Sequence, residues 1–187
     1  MGGRRVTTAG FVLAGGRSSR MGQDKALLPW KGTTLLESAA RKVQQAAGSA
    51  TIIGDPKLYS HLGFPVVADR IPGCGPLGGL YTALSITDAE WNVLVACDMP
   101  HITVEVLSGL LAQIRSTADA IVPRTDGHWE PLCAVYHRRL AATAASAIQR
   151  KSLKMQDFVS QIDASPWPAQ DPALFANWNS PHDIQLH

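Results

Sequence analysis

Gly10-Phe11-Val12-Leu13-Ala14 contains no polar side chain, and the next two residues are Gly15-Gly16. A run this short and this apolar reads as a buried strand, and the paired glycines end it in a loop. Such a strand has no face for water, so it needs helices on both sides of its sheet.

The rest of the chain supplies them. Thr34-Leu35-Leu36-Glu37 has the form of a capping box, and Leu35, Leu36, Ala39, Ala40 and Val43 follow at helical spacing. Gly48 stands where a C-terminal glycine would close that helix. Thr51-Ile52-Ile53 and Pro65-Val66-Val67-Ala68 read as short strands, residues 76–86 as a helix, and Trp91-Asn92-Val93-Leu94-Val95-Ala96 as a strand ending at Cys97-Asp98. Thr103 caps a predicted helix that runs through Arg115. Ala120-Ile121-Val122 and Leu132-Cys133-Ala134-Val135-Tyr136 are predicted strands, and residues 140–149 and 153–159 are predicted helices. Residues 165–187, rich in Pro, Asn and Trp, are expected to cross the surface as a loop with a short final helix.

This alternation predicts a three-layer α/β domain with a mostly parallel sheet. The length fits one domain over residues 1–187, with residues 1–8 as a flexible tail. In such sheets ligands bind beyond the carboxyl ends of the strands. Residues 15–22, residues 69–79 and Asp98 are therefore expected on one rim.

Composition narrows the partners. Apolar residues are 45% and charged residues 17% of the chain, which is globular, and a net charge of +2 gives no case for nucleic acid. No apolar run approaches the ~20 residues of a membrane helix, and the basic N-terminus lacks a signal-peptide core; the reading is cytoplasmic, with no membrane. Cys74, Cys97 and Cys133 contain no Cys-x-x-Cys pair and read as reduced, semi-buried thiols. The six histidines, with no metal-like spacing, read as surface residues.

The chemistry is concentrated in three loops. Gly15, Gly16 and Gly22 leave backbone N–H groups open to a ligand, with Arg17, Arg20 and Lys25 around them. Arginine grips phosphate bidentately and lysine adds a point charge, so this is a polyphosphate cradle, although it is neither a Walker A loop nor a Gly-x-Gly-x-x-Gly fingerprint. Asp69 opens a Gly/Pro-rich connection and can accept hydrogen bonds from a base or ribose; a salt-bridged structural Asp is the alternative there. Asp98 ends a buried strand, where a carboxylate suits Mg²⁺; a turn cap is the alternative.

Leu13-Ala14-Gly15-Gly16, Ser18-Ser19-Arg20-Met21-Gly22 and Asp24-Lys25 resemble, in order and spacing, the opening signature of the molybdenum cofactor guanylyltransferases within the nucleotidyltransferase superfamily. Asp69-Arg70-Ile71-Pro72-Gly73-Cys74-Gly75-Pro76-Leu77 is similar to that family's nucleotide-contacting segment, and Cys97-Asp98-Met99-Pro100 to its metal-binding element. Glu130-Pro131-Leu132-Cys133-Ala134-Val135-Tyr136, most of which a core strand would also explain, and Lys154-Met155-Gln156-Asp157-Phe158 resemble later segments, and Asn177-Trp178-Asn179-Ser180-Pro181 resembles the terminal Asn-x-Asn-Thr-Pro pattern, with Ser180 in place of Thr. The likeness covers residues 10–185.

The resemblance implies a Rossmann-like nucleotidyltransferase fold and transfer of GMP from GTP to molybdopterin with Mg²⁺. It implies Leu13, Ala14, Gly15, Gly16, Arg17, Lys25, Asp69 and Asp98 at the nucleotide, and Asp98 on the metal. It implies Pro76, Leu77, Gly78, Asn177 and Asn179 at molybdopterin, with an Asx-turn before a terminal helix as the alternative for the two asparagines, and Arg20, Lys25 and Asp98 as the catalytic groups. Cofactor-synthesis and molybdoenzyme-maturation proteins are candidate partners. One departure stands out: the family often carries a nucleotide-touching Asn after its second strand, where this chain has Ile53-Gly54-Asp55. A relative using CTP or a sugar phosphate, and a non-catalytic nucleotide-binding delivery protein, are the rival readings.

Overall fold

The computed structural model describes residues 6–14, 24–114, 117–169 and 171–178. The elements in chain order are β1 (Thr8–Leu13), β2 (Pro29–Trp30), β3 (Thr33–Thr34), α1 (Leu35–Ala47), β4 (Thr51–Ile53), α2 (Pro56–Tyr59) and β5 (Val66–Val67). There follow α3 (Gly75–Ile86), β6 (Trp91–Ala96), α4 (Val104–Ala112), β7 (Ala120–Thr125), β8 (His128–Trp129), β9 (Cys133–His137), α5 (Ala141–Gln149), α6 (Met155–Val159) and β10 (Ala164–Pro168).

The main sheet has the order β10-β7-β9-β6-β1-β4-β5, with β8 paired to β7. All neighbours on the main path are parallel except β9, which runs antiparallel to both β6 and β7. The expected three-layer, mostly parallel α/β architecture is what the chain adopts.

Alternation along the strands sends successive side chains to opposite layers. Val12, Ile52, Val93, Val95 and Ile121 pack in the core that includes α1 and α4. Phe11, Leu13, Ile53, Leu94 and Val122 pack in the core that includes α3, α5 and α6. Fully burying side chains of this size contributes about 1.5–3 kcal/mol each before the entropy of ordering is counted.

α1 begins where predicted: the Glu37 N–H donates to the Thr34 hydroxyl at 3.1 Å, and Gly48 ends the helix at φ 83°. Only half of the capping box forms, because the Glu37 carboxylate accepts from the Thr33 hydroxyl and the Arg41 guanidinium.

Three expectations are corrected, and one element was not expected. β1 starts at Thr8; the Trp91 N–H donates to the Thr7 carbonyl and the Thr8 hydroxyl to the Ala47 carbonyl, so Thr7 and Thr8 are tied into the fold and are not tail. α4 ends at Ala112, and Arg115 lies outside the described residues. Residues 164–168, within or beside the predicted loop, form β10, parallel to β7 at the sheet edge. An edge position tolerates Pro166 and Pro168, whose missing N–H groups would break an inner ladder. The β2–β3 hairpin, turning through Lys31 (φ 46°) and Gly32 (φ 82°), went unpredicted, although Lys-Gly between two short extended segments is a tight-turn signal. The predicted final helix lies outside the described residues.

Candidate nucleotide site at the carboxyl rim

β1 connects through α1 to β4 and β5, and α3 then returns the chain to β6 on the other side of β1. The strand order therefore reverses at β1, which makes its carboxyl end the crevice where such folds hold ligands. Backbone bonds extend the ladder past the strand ends: the Ala14 N–H donates to Ile53 O, Gly54 N–H to Val67 O, and Cys97 N–H to Leu13 O. The rim is thus a rigid row comprising Asp69, Gly54, Ala14 and Asp98. Asp69 and Asp98 stand on opposite flanks of β1, three strand spacings or ~14 Å apart.

Asp98 is the least satisfied group on that row. Its Oδ1 is buried and, among the described residues, has no hydrogen-bond partner. Burial pushes its carboxyl above the ordinary carboxylate range, while a backbone hydrogen bond at Asp98 and then the charge of Lys25 pull it back down. Leaving a buried carboxylate oxygen bare is costly unless a cation meets it. The surroundings fix the position of Asp98. Its backbone carbonyl accepts from the Trp178 N–H at 2.8 Å, and Lys42 of α1 donates to the Pro100 carbonyl at 2.8 Å. The adjacent Cys97 thiol is pushed up to about 12, first by burial and then by Asp98 and Asp24, and so stays a thiol.

Lys25 lies in a short 3-10 turn, Lys25–Leu27, capped by Asp24, whose Oδ1 accepts the Ala26 N–H at 3.0 Å. Its charge acts on both Cys97 and Asp98, which brings it to the Asp98 end of the rim.

Asp69 is half-buried and differently held. The Thr82 hydroxyl lies 3.5 Å from Asp69 Oδ1 and 2.9 Å from the Gly78 carbonyl, and it accepts the Arg70 N–H at 3.0 Å. Burial raises the Asp69 carboxyl, and Thr82 lowers it. α3 starts on this rim and packs tightly under β1: a Cβ at Gly79 would sit 2.6 Å from the Leu13 side chain. Leu77 and Gly78 are buried by the same packing, backbone included, and of the three predicted molybdopterin residues here Pro76 is the one partly exposed.

The carboxyl-terminal segment reaches the site through an anchor not foreseen from sequence. Trp178 is buried, with its ring edge-on to Trp30 at 4.7 Å and to His101 at 5.6 Å. Trp30 comes from the β2–β3 hairpin, so that hairpin seats exposed Asn177 beside Asp98. This corrects the reading of all histidines as surface groups. His101 joins the ring cluster, and half-buried His137 stacks edge-on to Trp91 and accepts the Arg139 N–H.

The departure at position 54 has a physical cause. A Cβ on Gly54 would lie 2.8 Å from the Tyr59 ring and 3.2 Å from Ala14. No side chain fits there, and Asp55 is committed to capping α2 through the Lys57 N–H. The structure thus brings together Leu13, Ala14, Lys25, Asp69, Asp98, Pro76 and Asn177 on one rim. Gly15, Gly16, Arg17, Arg20 and Asn179 lie outside the described residues.

Comparison with known proteins agrees with this geometry. A family model described as MobA-like NTP transferase domain matches residues 10–164. A Bacillus licheniformis protein named probable molybdenum cofactor guanylyltransferase is 34% identical over 185 residues, covering 93% of each chain. A Bacillus cereus protein of the same name is 33% identical, covering 91% of this chain and 88% of its own. The solved structure of molybdopterin-guanine dinucleotide biosynthesis protein A from Archaeoglobus fulgidus superposes with a TM-score of 0.80 at 25% identity, covering 95% of both chains. The match of the family model over most of the chain, with relatives more than 30% identical along nearly its whole length, places the chain in the MobA-like NTP transferase family.

Proposed function

We propose that this nucleotidyltransferase moves GMP from GTP to the terminal phosphate of molybdopterin, releasing pyrophosphate and forming the guanine dinucleotide cofactor. The observation that carries the reading is Asp98 Oδ1, buried and without a hydrogen-bond partner among the described residues, in the field of Lys25 at the switch point of the sheet. The names of the relatives supply the substrates.

Nucleotidyl transfer suits a site with one buried carboxylate that has an unpartnered oxygen among the described residues, and a lysine. The attacking group is a phosphate oxygen, already ionised, so no general base is required. It forms a bond to the α-phosphorus of GTP while the bond from that phosphorus to the bridging oxygen breaks and pyrophosphate departs. Alignment and charge neutralisation then supply most of the rate. Asp98 fits a Mg²⁺ ion, which commonly uses one or two protein carboxylates, substrate phosphates and waters. That ion, when bound, would neutralise charge on the triphosphate. Lys25 and Arg20 would stabilise the charge that builds on the α-phosphate and the leaving group. Gly15, Gly16 and Arg17 would cradle the phosphates, with Leu13, Ala14 and Asp69 toward the nucleoside. Pro76, Asn177 and Asn179 would line the molybdopterin side, with buried Leu77 and Gly78 packed behind Pro76.

Three free thiols, together with GTP as substrate, lead us to assign the enzyme to the cytoplasm, with cofactor-synthesis and molybdoenzyme-maturation proteins as candidate partners. Among the described residues no helix is long and apolar enough to cross a membrane.

The test is a panel of GTP, ATP and CTP assayed for pyrophosphate release with molybdopterin present. GTP is expected to be used in clear preference to the others. Equal or faster release from CTP would overturn the guanylyl assignment and favour the cytidylyl one.

A further inference from the structure

Two buried aromatic side chains bracket Asn177. Phe175 is seated in the core that includes α1 and α4, and Trp178 in a separate small cluster with Trp30 and Leu35. Ala176 and Asn177 between them are exposed. Trp178 meets Trp30 edge-on at 4.7 Å, and His101 closes the triangle at 5.6 Å from Trp178 and 5.7 Å from Trp30. Edge-on rings this close attract one another beyond the area they bury, and the attraction fixes their orientation. Trp30 is itself held by the β2–β3 pairing and covered by the Lys31 ammonium, 5.0 Å from the ring centroid. The Asp98 turn has anchors of its own. Met99 and Ile102 are buried in the core of α1 and α4, the Cys97 N–H donates to the Leu13 carbonyl, and Lys42 donates to the Pro100 carbonyl.

We propose that Trp30 is a positioning residue for the acceptor substrate: its indole seats Trp178, and Trp178 sets Asn177 on the rim beside Asp98. Molybdopterin binding then depends on Trp30, and nucleotide binding does not. The coupling is short, since Asn177 directly precedes Trp178, whose backbone N–H donates to the Asp98 carbonyl at 2.8 Å. Without its partner ring Trp178 holds that bond less firmly, and Asn177 spends time away from the rim. The Asp98 turn keeps its other anchors, so the cation and triphosphate positions stay as they are. The proposal rests on the reading of Asn177 at the molybdopterin side.

The test is steady-state kinetics on the full chain, with GTP and molybdopterin each varied while the other is saturating, and hydrogen exchange of the Trp178 backbone amide followed by NMR. The proteins are wild type, Trp30→Leu, Trp30→Phe, Asn177→Ala and Trp30→Leu combined with Asn177→Ala, all well below their melting temperatures. Leu keeps apolar bulk and loses the ring, so the KM for molybdopterin should rise about 5- to 10-fold, with the KM for GTP and kcat within about threefold of wild type. The Trp178 amide should exchange about 10-fold faster. Phe restores an edge-on ring, so the KM for molybdopterin and the exchange rate should both return to within about threefold of wild type. Asn177→Ala should raise the KM for molybdopterin at least as much as Trp30→Leu does. Adding Trp30→Leu to it should cost no more than about twofold further, because the two act in series. A tryptophan that only stabilises the fold would raise both KM values together or lower kcat. Either result, an unchanged KM for molybdopterin or an unchanged Trp178 amide in Trp30→Leu, or losses that multiply in the double variant would overturn the proposal. An unchanged KM for molybdopterin in Asn177→Ala would end the reading of Asn177 and the proposal with it, and a wild type that turns over no molybdopterin would end the reading of the reaction. The three failures are told apart by the protein in which they occur.

Discussion

Asp55 and Asp98 follow β4 and β6, two strands that flank β1 in the same parallel stretch of sheet. By position they are equivalent, yet they are held in opposite ways. Asp55 is exposed and spends its carboxylate on the Lys57 N–H at 2.8 Å, starting α2. Asp98 is held in place through its backbone, while its side chain presents a buried oxygen with no partner among the described residues. Asp69, after β5, lies between these extremes, half-buried and loosely met by Thr82. A carboxylate that the fold satisfies is a cap. One whose buried oxygen has no partner among the described residues, at the rim of the sheet, fits the proposed role of meeting a cation.

The largest expected effect is at Asp98. Asp98→Asn should lower transfer at least ~100-fold at ordinary Mg²⁺, the usual consequence of removing a group that stabilises transition-state charge. Its stability should move the other way. Burial raises the Asp98 carboxyl, so the unfolded chain gives up this proton more readily than the folded one. The charged carboxylate therefore costs stability as pH rises above the unfolded carboxylate range, and that cost persists at neutral pH. The amide removes it. Without nucleotide or metal, Asp98→Asn should melt at or above wild type at pH 7, and the difference should shrink as pH falls below the carboxylate range. A clear drop in melting temperature at pH 7 would make Asp98 a structural cap like Asp55.

A smaller effect is expected at Asp69. The strand before it lies three strand spacings, ~14 Å, from the strand before Asp98, on the side proposed for the nucleoside. Asp69→Asn should raise the KM for GTP about 10-fold, the loss expected for a hydrogen bond to a charged group, while kcat stays within about threefold of wild type. A kcat loss as large as that of Asp98→Asn would place Asp69 at the reacting phosphates instead.

The smallest catalytic effect belongs to Asp55. Asp55→Ala removes a helix cap, so stability should fall by about 1 kcal/mol in thermal or denaturant unfolding, with transfer within about twofold of wild type. Stronger damage to the rate than to stability would mean that the cap also serves the site.

What could be read from sequence follows the range of the forces involved. β6 and α1 were legible to the residue at their ends, because apolar runs, Thr34 and Gly48 act locally. β10 was not, since Pro166 and Pro168 argue against any strand and only the edge position excuses them. The Trp30–His101–Trp178 cluster depends on three distant segments meeting, and no local pattern announces that. The same limit applies to the aspartates. Motif resemblance singled out Asp98 and Asp69, but the buried Oδ1, unpartnered among the described residues, that distinguishes Asp98 from Asp55 exists only once the sheet is assembled. The arginine- and glycine-rich part of the cradle, Gly15 through Arg20, rests on the motif alone.

The most direct measurement is the melting temperature of wild type and Asp98→Asn in saturating GTP as Mg²⁺ is titrated. A ligand that binds only the folded state raises stability with its concentration. The wild type should show a further rise with Mg²⁺ beyond that from GTP alone, and Asp98→Asn should show none. An equal Mg²⁺-dependent rise in both proteins would contradict the assignment of Asp98 as the cation ligand.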